Sequence, residues 1–334
     1  MTLATVGEFN LIDQLAEVVQ KNHQPSAISW RNLILGIGDD AAVWQSENGP
    51  TMATTDCLIE GIHFTLDTTS WYDLGWKALA VNLSDIAAMG GRPRYALVTL
   101  GLPGKIATSD IIQLYNGMTE LAGRSKTAIV GGNVSAAPVV FISITVIGQA
   151  DNHILTRRAA HPGEVVAVTG SLGRSAGGLR LLQTHCDELN EGGKALREAH
   201  LKPFPRLEMG TILVAEGVHC ATDISDGLVL DLEHICQQSG VGAEIEVSQV
   251  PQPPELSTLF GAEALPLALG GGEDYELLFT APVTTIAMIA ARAPCPVTII
   301  GRITAENPGN VILIEPGGKN ITLNDKGWQH FARA

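Results

Sequence analysis

The chain lacks the cysteine pattern of a zinc site or a disulfide framework. Its five cysteines (Cys57, Cys186, Cys220, Cys236 and Cys295) form no Cys-x-x-Cys pair and are odd in number. It is also short of positive charge, with 21 Lys and Arg against 35 Asp and Glu and a formal net charge of −14. That balance argues against nucleic acid, whose phosphate backbone calls for a basic face. No apolar run reaches the length of a membrane span, and the N-terminal residues show no basic stretch followed by an apolar one, so no membrane partner and no signal peptide are expected. The expected setting is a reduced cytoplasm. No Gly-x-x-x-x-Gly-Lys-[Ser/Thr] loop is present; the nearest string, Gly170-Ser171-Leu172-Gly173-Arg174-Ser175, lacks the lysine. The Gly-rich loop, His-Arg-Asp and Asp-Phe-Gly set of protein kinases is missing too, as are low-complexity segments and short-period repeats.

What the chain does have is acid inside segments that otherwise read as core: GIGDDAA (36–42), TTDCLIEGIHF (54–64), NLSDIAAMGG (82–91), ATDISDGL (221–228) and LGGGEDYELLF (269–279). An isolated buried carboxylate must be paired, protonated or bound to a metal. Few basic residues lie beside these runs, which points to metal. Oxygen ligands of this kind suit Mg²⁺, an ion that usually arrives with phosphates attached. The negative net charge does not exclude a nucleotide, because the cation bridges an acidic site to a polyphosphate.

At 334 residues two domains are the natural expectation. Helical periodicity covers 7–22, roughly 71–89 and about 108–124, with Ser70 and Asp73 as a capping-box start and Gly90-Gly91 and Pro93 as a stop. Strands are expected at 51–56, 95–102, 127–131 and 139–148. A polar break at 150–163, ending in His161-Pro162-Gly163, sets the boundary between domains at 1–150 and 151–334. Beyond it the pattern predicts strands at 164–169, 219–223, 243–247, 275–281, 297–303 and 311–315, and helices near 175–185, 205–216 and 227–238. Neither half keeps a βαβ rhythm, which favours two α+β domains over a doubly wound sheet.

Each motif also has a plainer reading. Gly36 to Ala41 and Gly270 to Asp274 read as turns or loops when taken singly, and Thr54-Thr55-Asp56 as a strand-end cap. Asp226 reads as a helix cap. Gly131-Gly132-Asn133 reads as a turn or as a close approach to ligand, Arg157 as a phosphate ligand or a surface charge, and His63 as a packed histidine. Asn82 and Asp85 are harder to dismiss. They share one face of an apolar helix, where an unneeded Asp costs helix propensity.

Taken together and in order, GIGDDAA, TTDCLIEGIHF, KALAVNLSDIAAMGG, LTRR, SDGL and GGEDYELLF resemble the thiamine-monophosphate kinase family, within the PurM-like superfamily of aminoimidazole ribonucleotide synthetase. The resemblance runs from Gly7-Glu8-Phe9 to Lys326-Gly327-Trp328. It implies a two-domain PurM-like α+β fold whose N-terminal sheet pairs into a barrel across a homodimer. It also implies direct transfer from ATP, the co-substrate, to thiamine monophosphate with several Mg²⁺ ions. By position, Asp40, Thr54, Thr55, Asp56, Asp85, Asp223 and Asp226 resemble the metal sphere. Tyr115, Gly132, Asn133, Arg157 and Ser225 resemble nucleotide contacts, and His63, Glu273 and Trp328 the thiamine-phosphate side. Position 133 is Asn where many relatives have Asp, so a metal ligand there coordinates through a carbonyl without adding charge. Phosphoryl transfer asks for positioning and charge stabilisation, so no protein nucleophile is expected. Relatives with selenophosphate synthetase-like chemistry would be expected to carry a reactive N-terminal cysteine, and none precedes Cys57.

Overall fold

A computed structural model describes residues 2–6, 8–37, 41–151, 153–184, 189–323 and 326–328. Asp40, expected among the metal ligands, lies outside them. The chain divides into two compact units, Met1–Ile86 with Gly91–Asn152, and Ala87–Gly90 with His153–Ala334.

The first unit runs α1 (Leu3–Val6), α2 (Glu8–Lys21), α3 (Ile28–Asn32), β1 (Leu33–Leu35), β2 (Val43–Trp44), β3 (Thr51–Ile59), α4 (Trp71–Ala88), β4 (Arg92–Leu102), α5 (Thr108–Ser125), β5 (Ala128–Ala136) and β6 (Phe141–Gln149). Four strands form a mixed sheet in the order β3-β6-β4-β5, with β4 and β5 parallel and the other pairs antiparallel. Among the described residues this sheet is open at both edges and no closed barrel is present. Its buried face presents Ile142, Ile144, Val146, Ala96, Val98 and Leu100. The entry to α4 is the expected box: the Asp73 N–H donates to Ser70 Oγ at 3.1 Å. Helices α4 and α5 pack backbone to backbone through glycines. A side-chain carbon on Gly117 would sit 1.9 Å from the Tyr72 carbonyl oxygen, and one on Gly75 1.8 Å from that of Leu114.

The second unit continues with β7 (Val165–Thr169), α6 (Arg174–Gln183), α7 (Glu191–Leu201), α8 (Leu207–Ala215), β8 (Cys220–Asp223), α9 (Leu228–Ser239), β9 (Gly242–Glu246), α10 (Pro254–Phe260), α11 (Ala264–Gly270), β10 (Leu277–Ala281), α12 (Val283–Arg292), β11 (Val297–Thr304), β12 (Val311–Ile314) and β13 (Asn320–Ile321). Its seven-stranded mixed sheet has the order β13-β12-β9-β11-β7-β10-β8. One face carries Val166, Val168, Leu278 and Ile300 against Leu228, Leu232 and Ile235 of α9. The other carries Ala167, Leu277 and Phe279 against Met209 and Leu213 of α8 and Ile286 and Ile289 of α12. Strand alternation therefore feeds two cores from the same strands. Both units are α+β with mixed sheets. No helix of the described residues is long and apolar enough to cross a membrane.

Two local expectations change. Thr54-Thr55-Asp56 lies in the middle of β3 rather than at a strand end, because Cys57, Leu58 and Ile59 continue the pairing with Ser143, Ile142 and Phe141 respectively. Gly131-Gly132-Asn133 is neither a turn nor past the strand. It lies within β5, paired with Leu97, Val98 and Thr99.

Candidate active site

In the first unit, strand alternation sorts the expected residues. Thr54 and Asp56 face one side of the sheet and Thr55 the other. The Thr54 hydroxyl donates to Asp85 Oδ2, from β3 to α4. One turn earlier on α4, fully buried Asn82 accepts the Asp56 N–H on its Oδ1 at 2.9 Å and donates to the Ala78 carbonyl at 3.1 Å. Asn82 thus covers the β3 edge at Asp56 and fixes that strand against the helix. Thr55 is not brought to this group. Its hydroxyl turns to the far face, donating to the Ile144 carbonyl at 3.2 Å and accepting from Thr145 at 3.1 Å.

Asn133 stands apart as well. Register puts Asp56, Ile144, Val98 and Gly132 in one row across the sheet, and Cys57, Ser143, Thr99 and Asn133 in the next. Neighbouring rows point to opposite faces. Asp56 and Asn133 also lie on opposite edge strands, three strand spacings or about 14 Å apart. Within the sheet of one chain they do not share a cation. Gly132 has φ +152°, and a side-chain carbon there would lie 1.7 Å from the Val98 carbonyl oxygen, so this backbone admits glycine alone. Tyr115 is buried among the core side chains of α5, and burial pushes its phenol well above the usual range. His63 closes the turn after β3, its Nδ1 accepting the Ile59 N–H at 3.0 Å, which leaves the proton on Nε2.

In the second unit the Asp-Ile-Ser-Asp-Gly stretch leaves β8 at Asp223, which is 2% exposed, and enters α9 at Leu228. The N-cap is Gly227, not Asp226. Arg157 sits beside the strand, its Nε donating to the Thr222 hydroxyl at 2.9 Å. Two segments expected on the thiamine-phosphate side dock on consecutive carbonyls of this loop: the Glu273 N–H donates to Ser225 O at 2.7 Å and the Trp328 N–H to Asp226 O at 2.9 Å. Lys326 holds the C-terminal segment through a 2.6 Å contact with Glu233 on α9, leaving Trp328 54% exposed.

Asp231, His200 and Tyr275 escaped the sequence reading, and Asp274 entered it only as part of a Gly-rich loop. Asp231 accepts the N–H groups of Ser225, Asp226 and Gly227 on one oxygen. Burial, and then the charges of Asp223 and Asp226, push its carboxyl up to about 7. Asp274 reaches across to the start of α6 and accepts the N–H of Gly173 at 2.6 Å and of Ser175 at 3.1 Å, capping a helix whose own Gly173 cannot. Burial pushes this carboxyl up to about 7 too. Buried His200 lies with Nδ1 3.0 Å from Ser175 Oγ and 3.5 Å from a Glu273 carboxylate oxygen. Glu273 and Tyr275 both hold positive φ, +56° and +50°, a conformation non-glycine residues rarely adopt. Only the doubled acid in Gly-Gly-Glu-Asp hinted at this arrangement.

The donors around Asp85 and around Asp223 are hard oxygens, carboxylate and hydroxyl. Among the described residues no three His, Cys, Asp or Glu side chains form a group that could hold a metal ion. Such a set fits Mg²⁺, which is commonly bound through one or two carboxylates and substrate phosphates rather than by an all-protein cage.

Both α+β units match the AIR synthase related proteins. The N-terminal domain of that family matches residues 38–150 and the C-terminal domain residues 161–314. The thiamine-monophosphate kinase of Bacillus subtilis is 35% identical over 97% of this chain and 99% of its own. The crystal structure of the thiamine-monophosphate kinase from Stenotrophomonas maltophilia superposes with a TM-score of 0.81 at 36% identity, covering 90% of this chain and 95% of the other. AaThiL complexed with AMPPCP and TMP gives 0.78 at 34% identity over 99% of both chains. The chain belongs to the thiamine-monophosphate kinase family, and it is an enzyme.

Proposed function

We propose that the protein transfers the γ-phosphoryl group of ATP to the phosphate of thiamine monophosphate, giving thiamine diphosphate and ADP. The main support is the likeness over 99% of both chains to AaThiL, which is complexed with AMPPCP, an ATP analogue, and with TMP, thiamine monophosphate. A phosphate oxygen of the acceptor attacks the γ-phosphorus, and the bond to the ADP oxygen breaks. That oxygen is ionised near neutral pH, so no strong general base is needed.

The chain's own residues position and neutralise. Asp85 with Thr54 and Asp56 in the first unit, and Asp223 and Asp226 in the second, are the groups that hold Mg²⁺. When bound, Mg²⁺ supplies the positive charge that lets two anionic phosphates approach. Thr55 and Asn133 do not belong to the same side-chain set. Gly132 and Asn133 of β5 serve the nucleotide, and Arg157 and Ser225 contact its phosphates. Glu273, Trp328 and His63 serve the acceptor. Tyr115 acts only as packing behind the nucleotide-binding strand. Two copies join their four-stranded sheets through the open edges β3 and β5 into a barrel, which removes edge groups that would otherwise invite other pairings.

The first test is incubation with ATP, Mg²⁺ and thiamine monophosphate. Thiamine diphosphate and ADP in equal amounts are expected; ATP hydrolysis without thiamine diphosphate would reject the proposal.

A further inference from the structure

The loop from Ser225 to Gly227 is held on both sides of its backbone, and one side depends on a single side chain. Asp231 stands one turn into α9 and is 1% exposed. Its Oδ2 accepts the N–H groups of Ser225, Asp226 and Gly227, each at 3.1 Å. Three successive N–H groups converging on one anion form a nest. Here the acceptor oxygen is built into the chain. The carbonyl side of the same segment is taken by the neighbouring loops: Tyr275 N–H on Ile224 O at 2.9 Å, Glu273 N–H on Ser225 O and Trp328 N–H on Asp226 O. The other carboxylate oxygen, Oδ1, lies 3.9 Å from His234 Nδ1.

A carboxylate buried beside two others is costly, and ordinary helix capping does not require it, since a Ser, Thr or Asn at the cap position would serve. What a cap does not do is hold three peptide units at once. With N–H and C=O groups engaged on both sides, the orientation of the Ser225 and Asp226 side chains follows from the backbone.

We propose that Asp231 is the positioning residue of this loop: by gathering the three N–H groups it aims Ser225 and Asp226 toward the phosphates and their cation, and it keeps the carbonyls on which Glu273 and Trp328 dock in register. Asp231 itself touches neither nucleotide nor acceptor. The ligands named for Ser225, Asp226, Glu273 and Trp328 rest on the proposed function; the loop's dependence on Asp231 does not.

The test compares Asp231→Ala with Asp231→Asn in the full chain. Asparagine keeps a carbonyl oxygen for the three donors, and alanine removes it. In the first arm, hydrogen–deuterium exchange without nucleotide or metal follows overlapping peptides that cover 225–227. Faster exchange in Asp231→Ala, and exchange close to that of the parent in Asp231→Asn, is expected. In the second arm, rate is titrated against Mg²⁺. Asp231→Ala is expected to lose about tenfold to a hundredfold in rate or in Mg²⁺ affinity, as residues that orient metal ligands do; Asp231→Asn is expected to recover most of it. Unchanged exchange in Asp231→Ala would overturn the proposal. So would equal losses in the two variants, because then charge and not the acceptor matters, and so would reduced thermal stability with an unchanged Mg²⁺ titration. Should Asp231→Ala fail to fold, a raised Mg²⁺ requirement in Asp231→Asn overturns it and a parent-like one upholds it. If the parent forms no thiamine diphosphate, the proposed function fails while the exchange arm still decides the role of Asp231.

Discussion

The hydroxyl of Thr54 donates to Asp85 Oδ2, so a residue of β3 orients a carboxylate on α4. Neither residue stands alone, since Asn82 ties the same strand to the same helix two residues along at Asp56. The carboxylate is thereby held in one direction before any ligand arrives, which is what the metal-binding role proposed for it requires.

Asp85→Asn keeps the size of the side chain and an oxygen for Thr54 but removes the charge. The rate is expected to fall more than tenfold, since the loss of ~1.4 kcal/mol of transition-state stabilisation already gives that factor. The thermal midpoint is expected to stay close to that of the parent. Steady-state kinetics with a melting curve decides: near-normal turnover at unchanged Mg²⁺ dependence would make Asp85 structural.

Asn133 lies on the edge strand opposite Asp56 and on the other sheet face. Asn133→Asp therefore adds a charge away from the Thr54, Asp56 and Asp85 set and, under the proposed function, near the nucleotide. Like charges repel at close range, so the KM for ATP is expected to rise while the Mg²⁺ concentration at half-maximal rate stays the same. A lower Mg²⁺ requirement with an unchanged KM for ATP would restore Asn133 to the metal ligands.

Much of the site was legible because its chemistry conflicts with its surroundings. Asp85 interrupts an apolar helix, and α4 starts and stops where Ser70, Asp73, Gly90 and Gly91 indicate. Other features were hidden by ordinary local patterns. Asp231 occupies a polar position in Leu-Val-Leu-Asp-Leu, where an acid in the first helical turn needs no explanation. Gly131 and Gly132 read as a turn, although β5 continues through them beside a bulge at Val130. Helix α12, Val-Thr-Thr-Ile-Ala-Met-Ile-Ala-Ala-Arg, opens on β-branched residues that favour strand, and α7 has two glycines in its first turn. Asp274 caps a helix through the N–H of Ser175, 99 residues earlier in the chain, a relation that no local pattern encodes.

Asp274 also sets a pH dependence. Its carboxyl is raised from 3.8 to about 7 by burial, so the folded chain holds a proton that the unfolded chain releases. Below about pH 4 both forms are protonated and nothing is lost. As pH rises from about 4 to about 7 the unfolded form ionises first, and stability falls; above about 7 the loss is complete. Asp274→Asn removes this contribution, so parent and variant melting temperatures, measured from pH 4 to 8, are expected to differ by an amount that changes across that window in the parent's disfavour. Parallel curves would contradict the assignment.

The central claim is that the acceptor is a phosphate already attached to thiamine. The most direct measurement supplies γ-labelled ATP and Mg²⁺ with thiamine monophosphate in one reaction and free thiamine in another, and follows the label into thiamine phosphates. Label in the terminal phosphate of thiamine diphosphate, with none transferred to free thiamine, is the expected result. Equal labelling of free thiamine, or no labelled thiamine product in either reaction, would contradict it.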